Sequence, residues 1–342
     1  MRIGVLGATG YTGQELLRLL RFHPEAEVVY LGSSSQAGKP YAAGYPHLYG
    51  LDPGLLADEK EVPSVDVLFC ALPHGLTAAR ATGLLARGIK LIDLGADFRL
   101  RAATIYQQWY KLEHPAPELI PQGVYGLPEL YRAEIRGKSL VANPGCYPTA
   151  TLLALVPLLR GGLIVPETII VDAKSGVSGA GRGTSQAMHY AEVNENFKAY
   201  GVAEHRHTPE IEQELSRAAG QEVRISFTPH LVPMNRGLLA TIYASVLPGV
   251  SEEDLRAAWR EQYADEEFIC FLPDGVWPQT KFALGSNRAY LQLRLDERTG
   301  RVIVVAALDN LVKGASGQAV QNMNIVCGLP ENMGLQGTAI WP

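Results

Sequence analysis

Cysteine is scarce in this chain: Cys70, Cys146, Cys270 and Cys327 are the only four in 342 residues. They are far apart and none forms a Cys-x-x-Cys pair, which argues against a disulfide framework and against a bound metal. Long apolar runs are missing too. None reaches the ~18 residues of a membrane span, so no membrane partner is expected. There is no block of like charge, and 30 basic against 35 acidic residues leave a formal charge of −5, which sets aside a nucleic-acid-binding face. Repeats and low-complexity tracts are absent. What is present, 47% apolar and 19% charged residues, is the composition of a soluble enzyme, and the length is enough for two domains with full cores. Residues 2–7 already read as a strand, so the expectation is a cytoplasmic protein without a signal peptide.

The apolar strand at residues 3–6 runs into Gly7-Ala8-Thr9-Gly10-Tyr11-Thr12-Gly13, with a helix expected from about Gln14. Strand, glycine loop and helix in this order bring backbone N–H groups to a pyrophosphate at a helix N-terminus. Gly7, Thr9, Gly10, Tyr11, Thr12 and Gly13 are therefore candidate cofactor contacts. The competing reading is a plain β–α turn, since the spacing departs from Gly-x-Gly-x-x-Gly. The second strand, residues 27–31, lacks the terminal carboxylate that usually holds the ribose of NAD. Ser33, Ser34, Ser35 and Lys39 follow it and suit a phosphate, which favours NADP(H); a polar surface loop is the alternative. Strands at 65–72 and 89–94 carry His74, Asp93, Asp97 and Arg99 at or beyond their carboxyl ends, as contacts or scaffolding.

Residues 138–142 read as the end of another strand, and the almost wholly apolar residues 151–159 as a buried helix. Between them lies Asn143-Pro144-Gly145-Cys146-Tyr147-Pro148-Thr149. Cys146 is placed in the turn and Pro148 at the first helical position, where a missing N–H costs nothing. The positive end of the helix favours thiolate over thiol, which makes Cys146 a nucleophile candidate. Cys70, Cys270 and Cys327 read as buried, inert thiols.

A strand at 168–173 leads into a glycine-rich stretch containing Lys174, Ser175, Ser178, Arg182 and Thr184, an anion cradle or a flexible loop. His205, Arg206 and His207 precede an amphipathic helix opened by Thr208-Pro209-Glu210. Read as extended, this segment turns both imidazoles to one side, as a base facing the sulfur or as a surface pair. Strands at 223–227, 238–246, 289–295 and 302–308, with one helix at 251–263 opened by a Ser251/Asp254 capping box, suit an antiparallel sheet with helices on one face. Residues 309–318 enter a last helix ending near Gly328. The fold class is therefore α/β: a Rossmann-type doubly wound domain plus an α+β domain with a mostly antiparallel sheet.

Several stretches together resemble the N-acetyl-gamma-glutamyl-phosphate reductase family of arginine biosynthesis, relatives of the aspartate-semialdehyde dehydrogenases. They are the glycine loop, Leu72-Pro73-His74-Gly75, the run from Asp93 to Arg99, the Cys146 stretch, the run from Ser175 to Arg182, the run from His205 to Glu210, and the run from Asp309 to Ala315. The resemblance implies an NADP-binding Rossmann domain at 1–145 plus 312–342 and a catalytic and dimerising domain at 146–311. It implies Cys146 as nucleophile and the His-Arg-His stretch as the source of the base, for which His207 is chosen over His205. It also implies cofactor near Thr9–Thr12, Ser33–Ser35 and Asn310. Ser175, Ser178, Arg182, His205 and Arg206 are the candidate substrate contacts. The expected assembly is a homodimer or homotetramer. Reduction of another acyl phosphate (aspartyl or aminoadipyl), or a non-catalytic NADP-binding regulator, are the competing functions.

Overall fold

The computed structural model describes residues 1–51 and 53–341. The chain forms two compact units, Met1–Pro144 with Ala315–Gln336, and Gly145–Gly314 with Gly337–Pro342. In the second unit the terminal segment is held where the Ile340 N–H donates to Leu284 O at 2.9 Å and Lys281 Nζ lies over the Trp341 ring. Across the described residues of both units the helices are, in chain order, α1 (Tyr11–Leu20), α2 (Ala78–Ala86), α3 (Ala103–Tyr110), α4 (Pro128–Ile135) and α5 (Cys146–Arg160). They continue with α6 (Tyr190–Val193), α7 (Thr208–Ala219), α8 (Glu252–Tyr263), α9 (Thr280–Ala283) and α10 (Gly317–Val326). No helix among the described residues is long and apolar enough to cross a membrane.

The first unit is built on seven strands, β1 (Arg2–Leu6), β2 (Glu27–Ser33), β3 (Ala57–Asp58), β4 (Val67–Cys70), β5 (Lys90–Asp93), β6 (Val124–Tyr125) and β7 (Leu140–Ala142). They pair in the order β3-β2-β1-β4-β5-β7-β6, every pair parallel. Val67–Cys70 is apolar and buried throughout, the signature of a parallel strand covered on both faces. Beyond β5, buried Asp97 accepts the N–H groups of Gly75 (2.7 Å) and Ala78 (2.9 Å) and the Tyr106 hydroxyl (2.9 Å). Arg99 donates to Asn143 O (2.8 Å) and Leu94 O (3.0 Å). Both side chains thus brace the loops at the strand ends.

The second unit carries β8 (Ile170–Gly176), β9 (Lys198–Ala199), β10 (Ser226–Val232), β11 (Leu238–Ser245), β12 (Ile269–Phe271), β13 (Ala289–Asp296) and β14 (Arg301–Leu308). Their order is β12-β13-β14-β11-β8-β10-β9. Four pairs are antiparallel; β8 with β10 and β12 with β13 are parallel. β10 begins three residues later than the expected strand at 223–227, because its register comes from β8, with Ser226 beside Ile170.

Burial alternates along these strands. Val171, Ala173, Phe227, Ala240, Ile242 and Val304 face the core, where α5 packs on β11 and β14 and is flanked by α7 and α8. The other face is half-exposed. Tyr243 stands there between Ile170 and Ile303, Thr241 between Asp172 and Val305, and Lys174 between Leu239 and His230.

Residues 147–159 of α5 are all buried. Pro157 has no N–H, so the Leu153 carbonyl loses its helical donor. Tyr263 of α8 supplies one instead, its hydroxyl donating at 2.9 Å, and Trp259 Nε1 donates to the next carbonyl, Ala154 O, at 2.9 Å. The expected capping box holds α8 at its start: Asp254 N–H donates to Ser251 Oγ (3.2 Å) and Ser251 N–H to Asp254 Oδ2 (2.9 Å).

Candidate active site

In the first unit, α1 starts at Tyr11, three residues before the expected Gln14, because Gly10 takes the extended N-cap conformation. Gly7 has φ +71°, and a Cβ there would lie 2.1 Å from Ala71 O; a Cβ on Gly13 would lie 2.6 Å from Gly7 O and Ala8 O. Only glycine permits this close approach of loop, strand and helix. No side chain caps α1, so the N–H groups of Tyr11, Thr12 and Gly13 are left for an anionic ligand, which fits a dinucleotide pyrophosphate. Tyr41 and Tyr45, which the sequence did not single out, donate to Ala8 O (2.9 Å) and Thr9 O (3.1 Å) and support the loop. Ser33 ends β2 and is buried, whereas Ser34, Ser35 and Lys39 are exposed.

In the second unit, Cys146 is the first residue of α5 and not part of the preceding turn; Gly145 is the N-cap. Pro148 is consequently the third helical residue. It is tolerated there because none of the first four helical N–H groups has an intrahelical acceptor. The half-buried Cys146 thiol sits at the positive end of a 15-residue helix. A Cβ on Gly314 would lie 2.7 Å from Cys146 Cβ, so the Gly314 backbone passes directly against the cysteine.

His207 lies over the N-cap: a Cβ on Gly145 would meet its Nε2 at 2.5 Å and Cε1 at 2.7 Å. Glu210, a residue read from sequence only as part of a helix opening, holds this arrangement. It is buried, and its Oε1 accepts the Gly145 N–H at 2.9 Å, tying the first turn of α7 to the N-cap of α5. Its signal was a carboxylate three residues after His207, in the first turn of α7. Gly145→Ala is expected to lower turnover about 10²-fold by pushing the imidazole away from the N-cap beside Cys146. Steady-state kinetics beside an unchanged circular dichroism spectrum check this, and unaltered turnover would show that the ring position is unimportant.

Residues 201–207 form turns and not the extended segment expected, yet both imidazoles still meet, 4.8 Å apart between centroids. The reason is a local bond: His207 N–H donates to His205 Nδ1 at 3.0 Å. That contact makes Nδ1 an acceptor and places the His205 proton on Nε2. Burial, with the Arg206 charge beside it, pushes the His205 pKa down to about 4. Tyr147, Tyr200 and Phe227 surround it edge-on, at 5.3–5.6 Å from their neighbours in the cluster. Tyr200 donates to the Tyr147 hydroxyl (3.2 Å), which donates to His230 O (3.3 Å); burial raises both phenols, so they stay protonated.

Ser175 is buried beside Tyr147, while Lys174, one position along the strand, points to the opposite face and pairs with Asp172 at 2.9 Å. The glycine-rich stretch is thus divided. Asn310 donates to Ser178 Oγ (2.9 Å) and accepts from Gly237 N–H (2.7 Å), so its amide is engaged within the second unit. Arg182 and Arg206 have exposed side chains. Of the other cysteines only Cys70 is fully buried. Cys270 lies on the short edge strand β12, where Arg288 Nη1 donates to its sulfur at 3.3 Å, and Cys327 caps the end of α10; both are half-buried.

Two family descriptions match the chain: the semialdehyde dehydrogenase NAD binding domain over residues 2–138 and the semialdehyde dehydrogenase dimerisation domain over residues 146–310. Among curated relatives, the N-acetyl-gamma-glutamyl-phosphate reductase of Pelotomaculum thermopropionicum is 55% identical, covering 100% of this chain and 99% of its own. That of Symbiobacterium thermophilum is 57% identical over 98% and 97%. Solved structures share the fold at 18% identity. Aspartate semialdehyde dehydrogenase II of Vibrio cholerae, complexed with ASA, has a TM-score of 0.72 and covers 95% of this chain and 97% of its own. The Candida albicans enzyme, with NADP, has a TM-score of 0.70 over 97% and 99%. A glycine loop opening a helix in one unit, a cysteine at the first position of a helix whose N-cap glycine lies under an imidazole in the other, and full-length identity above one half place the chain in the semialdehyde dehydrogenase family, as a member of its N-acetyl-gamma-glutamyl-phosphate reductase branch.

Proposed function

We propose that this protein reduces N-acetyl-L-glutamyl 5-phosphate to N-acetyl-L-glutamate 5-semialdehyde and phosphate, with NADPH as reductant, through a thioester on Cys146. The observation that carries this reading is Cys146 at the first position of α5 with His207 seated over the adjacent N-cap. The Cys146 sulfur attacks the acyl carbon, a C–S bond forms, and the C–O bond to phosphate breaks. First-turn N–H groups of α5 stabilise the oxyanion. His207 takes the thiol proton in the first half and returns a proton in the second. Bound NADPH supplies the hydride that converts the thioester carbon to a thiohemiacetal. Its C–S bond then breaks, releasing aldehyde and restoring Cys146. Tyr11, Thr12 and Gly13 would hold the pyrophosphate through their N–H groups, and Ser34, Ser35 and Lys39 would hold the phosphate that distinguishes NADP from NAD.

The half-exposed sheet face, with Ile170, Tyr243, Ile303 and Val305 in neighbouring positions, supports association of the dimerisation domain as a homodimer, or as two such dimers in a homotetramer. The reaction is placed in the cytoplasm. The decisive test runs the reaction backwards. N-acetylglutamate semialdehyde, inorganic phosphate and NADP should yield NADPH, with no signal when phosphate is omitted and a weaker one with NAD. A preference for aspartate or aminoadipate semialdehyde would move the assignment to another acyl phosphate, and no turnover of any of them would favour a non-catalytic regulator.

A further inference from the structure

The second unit carries an exposed arm between the glycine-rich loop and the histidines. Residues 181–204 are mostly exposed, and Tyr190 (80% exposed), Phe197 (55%) and Val202 (57%) are large apolar side chains left open within it. Large apolar side chains left open in a dimerisation domain call for a covering partner, and the position of Phe197 indicates where it would sit. Phe197 stacks flat on His230, with centroids 5.2 Å apart and planes at 5°. His230 belongs to the half-exposed sheet face, beside Lys174, and its Nδ1 lies 3.2 Å from Asp172 on the same face. Phe197 therefore continues the surface already assigned to association.

The same arm also reaches the catalytic cluster. One residue after Phe197, β9 begins and pairs with the β10 edge, Lys198 beside Leu231 and Ala199 beside His230. The next residue, Tyr200, donates its N–H to Pro229 O at 3.0 Å. Its ring then turns to the other side, where it meets His205 edge-on at 5.4 Å and donates to the Tyr147 hydroxyl, adjacent to Cys146. Tyr147 in turn donates to the carbonyl of His230, the residue under Phe197. β9 is only two residues long, so its two backbone pairings are weak by themselves, and the Phe197 stack on His230 is an apolar contact beside them.

We infer that a second copy of this chain covers Phe197 and the sheet face, and that this contact holds β9 so that Tyr200 fixes Tyr147 and His205 around Cys146 and His207. Association is thereby a condition for full turnover. The inference rests on the homodimer reading above. Tyr147, Tyr200 and His205 act as positioning residues, and the partner acts through them.

The test breaks the interface far from the arm. Ile303 lies on β14, three strands from β10, roughly 14 Å at the usual strand spacing. Ile303→Arg in the full chain should sediment as a monomer where the unaltered protein is larger, exchange the Tyr200 amide proton faster, and lose roughly tenfold in turnover. Phe197→Ala should keep the assembly size yet show the same faster exchange and lower turnover. A monomeric Ile303→Arg protein with normal turnover and normal Tyr200 protection overturns the coupling, as does a Phe197→Ala protein unchanged in both. An Ile303→Arg protein that still associates overturns the interface itself. Should Ile303→Arg lose its circular dichroism signal, Phe197→Ala alone decides. If the unaltered protein fails to oxidise any semialdehyde, the reductase reading falls while Tyr200 exchange still decides the coupling.

Discussion

Cys146→Ser is expected to lower turnover by ~10⁴-fold or more, the scale seen when a covalent nucleophile is removed, while NADPH binds as in the unaltered protein. Serine fits the space left by Gly314 and the N-cap without disturbing α5. Its hydroxyl, however, is not ionised near neutral pH, and an oxygen ester is a poorer electrophile for hydride than a thioester. The helix field of about half a positive charge favours a thiolate over a thiol and does little for an alcohol. Dinucleotide affinity, proposed to rest on the loop at Gly7–Gly13, should not change. Phosphate release in a single turnover separates the two halves of the reaction: it should vanish with serine. Turnover within tenfold of the unaltered protein would rule out the covalent route.

The second large effect concerns the imidazoles. His207→Ala is expected to cost ~10²–10⁴-fold in rate, the usual contribution of a positioned general base. His205→Ala should cost less. The Nδ1 atom of His205 is occupied by the His207 N–H, and burial keeps its pKa near 4, so at pH 7 it is a neutral ring supporting its neighbour. His207 stands over Gly145, the residue before Cys146, which is why it is the proposed base. Rates measured from pH 5 to 9 separate the roles: the His205 variant should keep the pH profile and lose amplitude, whereas the His207 variant should lose the limb that reports the base. The opposite pattern would transfer the catalytic role to His205.

Much of this architecture can be read along the chain. The apolar run at β4 is continuous because a parallel strand is covered on both faces, and burial alternates along β11 and the first five residues of β14 because their sheet is covered on one. The glycines at 7 and 13 mark places where a Cβ would strike backbone, and the Ser251/Asp254 box marks a helix start by local bonding alone. Helix starts at Tyr11 and Cys146 were displaced by three residues or fewer, since an extended glycine N-cap leaves no mark on apolar periodicity.

Local chemistry thus determined the element types, the glycine loop, the nucleophile candidate and the histidine pair, because each depends on neighbours within a few residues. Long-range packing decided the rest. Glu210 reaches Gly145 across 65 positions, Tyr147 and Tyr200 meet across 53, and Asn310 spends its amide on Ser178 and Gly237. Lys174 and Ser175, adjacent in the chain, were sent to opposite faces of one sheet. Those outcomes follow from which strands and helices pack together, and a buried polar group takes whatever partner that packing delivers to it.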